Sequence, residues 1–171
     1  PNVKPLTTTR AVLRDKYGIA RNRCTSNYGF YLGATNSNIE EIKALKVGEA
    51  AGIKAFMGAS TGDILVDSPE ALEKLFEHAP LIVLTHCEDS PMIWANEAAA
   101  RADFGDDVPF SEHPSIRSAE ACLKSSTYAV DMASRHDALL HVLHLTTAIE
   151  MGLFSNAHRS EKRITAEVCV H

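Results

Sequence analysis

The sequence predicts an α/β protein built around a parallel sheet, and three observations carry that expectation. Strand-like and helix-like segments alternate from one end of the chain to the other. The run Leu81-Ile-Val-Leu-Thr85 has no polar face, which marks a strand buried on both sides between helices. A 45% hydrophobic fraction with few aromatics supplies the apolar surface for one compact domain, taken as residues 1–171.

The elements follow in order. Thr7 to Thr9 precede Arg10-Ala-Val-Leu-Arg-Asp-Lys-Tyr17, so a hydroxyl can cap a first helix that Gly18 can end. Thr25 to Leu32, with Tyr28, Phe30 and Tyr31, reads as a strand. Ser37 and Glu40 form a capping box for a helix to about Ala51, which Gly52 stops. Ile53 to Met57 is a short strand, followed by the turn-forming stretch Gly58 to Asp63. Ser68 and Pro69 open a helix whose apolar stripe is Ala71, Leu72, Leu75 and Phe76. After the strand Leu81 to Thr85, Ser90 and Pro91 start a helix toward Ala102, and a polar loop leads to a long helix from about Pro114 to Arg135. A strand over Ala138 to Leu145, a short helix over Thr147 to Phe154 and a strand over Ile164 to Val170 complete the chain.

A full (β/α)8 barrel takes about 250 residues. The expected architecture is therefore a TIM-type (β/α)8 barrel of which this chain holds only the middle portion, about strands 2 to 7. An open doubly wound sheet ranks second, because no Gly-rich phosphate fingerprint follows the first strand. The chain starts at Pro1 and stops at His171 directly after a strand-like run, so it reads as an internal piece of something longer.

Composition excludes several function classes. Seventeen basic and 22 acidic residues give a net charge of -5, and no basic run could follow a phosphate backbone, so nucleic acid is not an expected partner. Cys24, Cys87, Cys122 and Cys169 lie far apart without a C-x-x-C pair, which suits a reduced, cytoplasmic compartment. The longest aliphatic stretch, Leu81 to Leu84, is far short of the roughly 20 residues that span a bilayer, so no membrane partner is expected.

In a parallel barrel the working groups sit at the carboxyl ends of strands. His86 ends one such strand and can ligate zinc or another borderline divalent ion; the plainer reading is a histidine that hydrogen-bonds a loop. In His141-Val-Leu-His144 the two histidines are three residues apart, so on a regular strand they face opposite sides. His144, nearer the carboxyl end, is the ligand candidate, and His141 is expected to be a packed or hydrogen-bonded core histidine. Lys54 lies inside a short strand, where a cation is costly to bury. It either snorkels out or pairs with an acid such as Asp63, or it is desolvated with a nucleophilic amine that CO2 could convert to a metal-bridging carbamate. The acid pairs Glu40-Glu41 and Asp106-Asp107 are expected at the solvated surface, and Met92, Trp94, Leu123 and Met132 in the core. No G-x-S-x-G motif supports a serine hydrolase.

Several of these strings resemble, in order along nearly the whole chain, the dihydroorotase family of the amidohydrolase superfamily. Pro1-Asn2-Val-Lys-Pro5 resembles the end of its second strand, and Gly52-Ile-Lys-Ala-Phe-Met57 the strand that bears the carbamylated lysine in lysine-type dihydroorotases and hydantoinases. Thr85-His-Cys-Glu-Asp89 and His141-Val-Leu-His-Leu-Thr-Thr147 resemble the two metal-histidine strands, and Ile164 to His171 the start of the next. The resemblance implies that Lys54 is the bridging carbamate and catalytic group, that His86 and His144 bind the more exposed metal, and that Asn2 holds the substrate carboxylate. It implies two zinc ions per intact subunit, a CO2-derived lysine carbamate, and the small-molecule substrates N-carbamoyl-L-aspartate and L-dihydroorotate of pyrimidine biosynthesis. It also allows a homodimer. The family's H-x-H pair and its proton-shuttling aspartate have no match in this sequence, so the segment alone is expected to be inactive. Hydantoinase, dihydropyrimidinase or allantoinase is the nearest rival, although Asn2 and the string after His86 favour dihydroorotase. A catalytically silent scaffold partner is the rival from another class, set lower because the three visible ligands are present.

Overall fold

A computed structural model describes residues 1–58, 60 and 64–170. Five strands, β1 (Tyr31–Gly33), β2 (Gly52–Phe56), β3 (Val83–His86), β4 (Leu140–Leu145) and β5 (Ile164–Val168), form one sheet in the order β1-β2-β3-β4-β5. Every neighbouring pair is parallel. A sheet that adds each new strand on the same side has no point where the strand order reverses. It is the arc of a barrel and not a doubly wound sheet, whose ligand crevice lies at such a reversal.

The helices are α1 (Arg10–Arg21), α2 (Ile39–Lys43), α3 (Pro69–His78), α4 (Ser90–Phe104), the single turn α5 (His113–Ile116) and α6 (Ala119–Arg135). Among the described residues, no helix is long and apolar enough to cross a membrane. Side chains of β2, β3 and β4 that point toward the helices are sealed. Ile53, Ala55, Val83, Leu140 and Val142 are at most 1% exposed and join Leu13, Leu75, Phe76, Ala129 and Met132 in one core. The cross-strand registers Ile53↔Val83 and Val83↔Leu140 put these residues side by side.

Local chemistry explains where the elements begin and where the sequence misleads. Ser68 caps α3, its Oγ accepting from the Ala71 N–H, with Pro69 in the first turn. α1 is capped by Thr9 but continues through Gly18 to Arg21, since a glycine exposed inside a helix costs only about 1 kcal/mol and does not end it. Only Tyr31–Gly33 of the expected first strand pairs with β2. The segment before it is occupied by an aromatic cluster, in which Tyr17 meets Phe30 edge-on at 5.0 Å. α2 has no capping box. Asn38 occupies the cap position, but its Oδ1 accepts from the Thr35 N–H at 2.8 Å instead of from the first turn, while its amide nitrogen donates to the carbonyls of Thr8 and Gly33, both at 2.8 Å; the helix ends at Lys43. Gly52 begins β2 instead of ending a helix, because a Cβ there would press on Leu84 and Ile82 of the neighbouring strand segment.

The long helix is broken. Pro114 lies in α5, and Ser118 starts α6 afresh by accepting from the Ala121 N–H at 3.3 Å, which leaves Arg117 in the joint. α4 is capped by Asp89, whose Oδ1 accepts from the Met92 N–H at 3.0 Å, and runs past Ala102 to Phe104. Of the expected core residues Met132 is buried, but Trp94 is 60% exposed and Met92 and Leu123 are only partly covered. The segment after β4 is a 3-10 helix, Ala148–Leu153. The turn expected over Gly58 to Asp63 lies for the most part outside the described residues.

Candidate metal centre

His86 is the last residue of β3, in register with Phe56 of β2. Its Nε2 lies 2.5 Å from Oε2 of Glu88, two residues on. The Glu88 side chain is 8% exposed and is gripped by Arg117, whose Nε donates to Oε1 at 2.7 Å and whose Nη2 donates to Oε2. Burial alone would raise the Glu88 pKa, yet the hydrogen bonds from His86 and Arg117 outweigh it and hold the carboxyl at about 2. Glu88 is thus an anion at neutral pH.

The other nitrogen of His86, Nδ1, lies 3.1 Å from Nε2 of His144, and the two rings meet edge-on with centroids 4.9 Å apart. A regular β4 would not allow this contact. Val142 lies on the helix-facing side, so strict alternation would send His144 there too. Instead the β4–β5 register slips between Val142 and Leu145, and His144 adopts φ 40°, the left-handed region that non-glycine residues rarely enter. The irregularity re-aims the ring toward β3. Burial, with the Lys54 cation acting in the same direction, lowers the His144 pKa and favours the neutral ring that a metal ligand requires.

The two-face rule for the histidine pair is therefore corrected. His141 is in register with Leu84 and Thr165 on the concave side of the sheet, where Nδ1 pairs with Thr165 Oγ1 at 2.8 Å and Nε2 with Glu167 Oε2 at 3.2 Å. It is hydrogen-bonded, as one of the two expected readings has it, but on the open face and not in the core. With Tyr31, Leu84, Thr165 and Glu167 it lines a concavity of about 650 Å³.

Lys54 is 7% exposed, and its Nζ has no hydrogen-bond partner among the described residues. It lies in register with Leu84, over the Phe56 ring at 4.3 Å from the centroid, and Phe56 in turn lies 6.0 Å from the His86 ring. Burial lowers its pKa to about 8, against weaker opposing effects from Cys87 and Glu167. Lys54 does not snorkel into water. Asp63, its alternative partner, lies outside the described residues.

Asn2 is exposed at the carboxyl end of β1, where the Gly33 N–H donates to Thr7 O at 2.8 Å and the Thr7 N–H to Pro1 O at 3.0 Å. It lies at the same end of the sheet as His86 and His144. Sequence reasoning assigned no role to Glu88 or Arg117. A carboxylate two residues beyond a strand-end histidine was a usable signal for the first, whereas Arg117 is placed by a helix break that the sequence pattern did not reveal.

Two nitrogen ligands on one tetrahedral zinc, each at about 2.0–2.1 Å, are about 3.3 Å apart. The 3.1 Å between His86 Nδ1 and His144 Nε2 comes close to that spacing, and an orphaned buried amine on the neighbouring strand is a third group in need of a partner. No cluster of three His, Cys, Asp or Glu side chains among the described residues could hold an ion. The histidine pair fits, but a third ligand from this chain requires the lysine.

A one-directional parallel sheet with polar groups gathered at the carboxyl ends of its strands defines a partial (β/α)8 barrel. Comparisons with known proteins narrow that class. No family model matches the chain. The dihydroorotase of Methanosarcina acetivorans is 30% identical over 181 residues, covering 100% of this chain and 38% of its own length. The allantoinase of Streptomyces avermitilis is 28% identical over 174 residues, covering 99% of this chain and 38% of its own. The L-hydantoinase (dihydropyrimidinase) structure from Arthrobacter aurescens superposes with a TM-score of 0.84 at 21% identity, over 95% of this chain and 36% of that one, and shows the shared fold. The chain thus spans about 38% of the length of the curated relatives it matches. It is similar over its whole length to dihydroorotases and allantoinases.

Proposed function

We propose that this chain supplies part of the active face of a metal-dependent cyclic amidohydrolase, and that the parent protein is a dihydroorotase interconverting N-carbamoyl-L-aspartate and L-dihydroorotate in the cytoplasm. The observation that carries this reading is the convergence of His86 and His144 at 3.1 Å near a buried Lys54 that has no partner among the described residues. An amine with a pKa of about 8 is partly neutral at physiological pH. Its lone pair can attack CO2: the N–C bond forms, one C=O π pair moves onto oxygen, and a proton leaves the nitrogen for solvent. The product is a carbamate, a buried carboxylate in place of a buried cation.

Lys54 as carbamate, His86 through Nδ1 and His144 through Nε2 would hold divalent metal, two zinc ions in the intact subunit. Such ions polarise a ring carbonyl and lower the pKa of a water, worth several kcal/mol of barrier. The chain's own residues do the rest of the work read here. Glu88 holds His86, the slipped β4 holds His144, and Asn2 would take the substrate carboxylate. Asn2 and Thr85-His-Cys-Glu-Asp89 favour dihydroorotate, while the near-equal likeness to the Streptomyces allantoinase keeps allantoin as the second substrate to assay.

The test uses the full-length protein. Lys54→Ala is expected to lower activity on dihydroorotate by at least about 10³-fold, equivalent to some 4 kcal/mol. A short carboxylic acid added to that variant should restore part of the activity. Undiminished turnover in the variant refutes the bridging role, and turnover of allantoin in preference to dihydroorotate moves the assignment to the rival.

A further inference from the structure

We propose that Arg117 and Glu88 form a tautomer lock on His86, an anionic carboxylate held against Nε2 so that the Nδ1 lone pair is the one turned toward His144. The proposal rests on the reading of His86 as a ligand and adds two positioning residues to it.

A carboxylate whose two oxygens both accept from one guanidinium offers only acceptor sites to the ring, and a neutral imidazole carries its proton on one nitrogen alone. Glu88 Oε2 at 2.5 Å from Nε2 therefore puts the proton on Nε2 and leaves Nδ1 as the acceptor. Glu88 cannot turn away. Arg117 engages both of its oxygens. Behind it, Gly58 lies so close to the Glu88 backbone that a Cβ there would collide with the Glu88 carbonyl oxygen. Arg117 is fixed in its turn by the helix joint, where its N–H donates to His113 O at 2.9 Å and Ser118 begins α6. A buried ion pair is poor evidence for stability in its own right, whereas a carboxylate behind a ligating imidazole sets the ring's tautomer and its basicity.

The experiment is ¹⁵N–¹H correlation spectroscopy on the metal-free full-length protein labelled at histidine, with zinc affinity measured by chelator competition. In the wild type, His86 is expected as the Nε2–H tautomer. In Glu88→Gln, Arg117 claims the amide oxygen and the NH2 group faces the ring, so the proton moves to Nδ1 and zinc binds about 10–100-fold more weakly. Arg117→Lys retains charge but loses the two-pronged grip, and should give a mixture of tautomers; it decides the matter if Glu88→Gln does not fold by circular dichroism. An unchanged Nε2–H tautomer in the folded variants overturns the lock even if zinc binds the wild type. A tautomer that inverts in a protein that binds no zinc upholds the lock and removes the metal reading instead.

Discussion

The two faces of the sheet follow different rules. On the helix-facing side Ile53, Val83 and Leu140 stand in register, none of them accessible to solvent, and all three belong to one hydrophobic core. On the concave side the same strands present Lys54, Leu84 and His141, also in register, with Thr165 completing the row. One face is optimised for packing. The other carries a buried amine without a hydrogen bond and, at the strand ends, a histidine in a left-handed conformation. Such departures cluster where a site is built, because packing cannot account for them. If the contrast is real, trimming the first face should destabilise the protein while relieving the second should stabilise it.

The largest stability effect is expected from Leu140→Ala, or equally Ile53→Ala. Either leaves a void between the sheet and α3 or α6 and should cost about 2–5 kcal/mol, read as a lower midpoint in urea with an unchanged slope. A loss below 1 kcal/mol would mean that the helix-facing layer is not the core.

Lys54→Met should act in the opposite direction and with a pH signature. The Lys54 pKa falls from 10.5 to about 8 on folding. Below pH 8 both states are protonated and the folded state bears the full penalty of a buried cation. Between about 8 and 10.5 the unfolded chain binds more protons than the folded one, so the penalty is relieved as pH rises and is gone above that window. In CO2-free buffer the methionine variant should thus be more stable by on the order of 3 kcal/mol at pH 7, and this advantage should vanish near pH 10.5. Dissolved CO2 at pH 8 should shrink the gap by converting the wild-type amine. A difference that does not vary with pH would show that Lys54 is solvated.

The packed face was largely legible in the sequence, and the site only in part. Leu72, Leu75 and Phe76 follow helical spacing into the core, and Ser68-Pro69 announces its own helix start. Local rules suffice for such elements. Lys54 and His86 were legible for a related reason, since a cation inside a strand and a histidine at a strand end violate or exploit the same local rules. The failures have non-local causes. Asn38 is turned by its bonds to the carbonyls of Thr8 and Gly33 so that its Oδ1 takes the Thr35 N–H and not the first turn of α2, and the α5–α6 joint exists where Arg117 reaches Glu88, 29 positions earlier. The slip in β4 depends on its pairing with β5, so period-two alternation could not foresee that His141 lies on the concave face and that His144 still reaches His86.

That last pair offers the finest test of the contrast, because both histidines belong to one strand and only their backbones differ. His141 is anchored by Thr165 and Glu167, and the Thr165 hydroxyl retains Leu140 O as a partner at 3.3 Å if the ring is removed. His141→Ala should cost about 1 kcal/mol, the net value of its hydrogen bonds, and leave metal content intact. His144→Ala should leave stability within about the same margin, since it deletes one imidazole contact while keeping the left-handed backbone, yet in the full-length protein it should release metal and remove activity. Equal losses of metal in the two variants would mean that the β4 irregularity does not select between them. Metal lost from His141→Ala alone would assign the ligand role to the regular part of the strand and leave the slip unexplained.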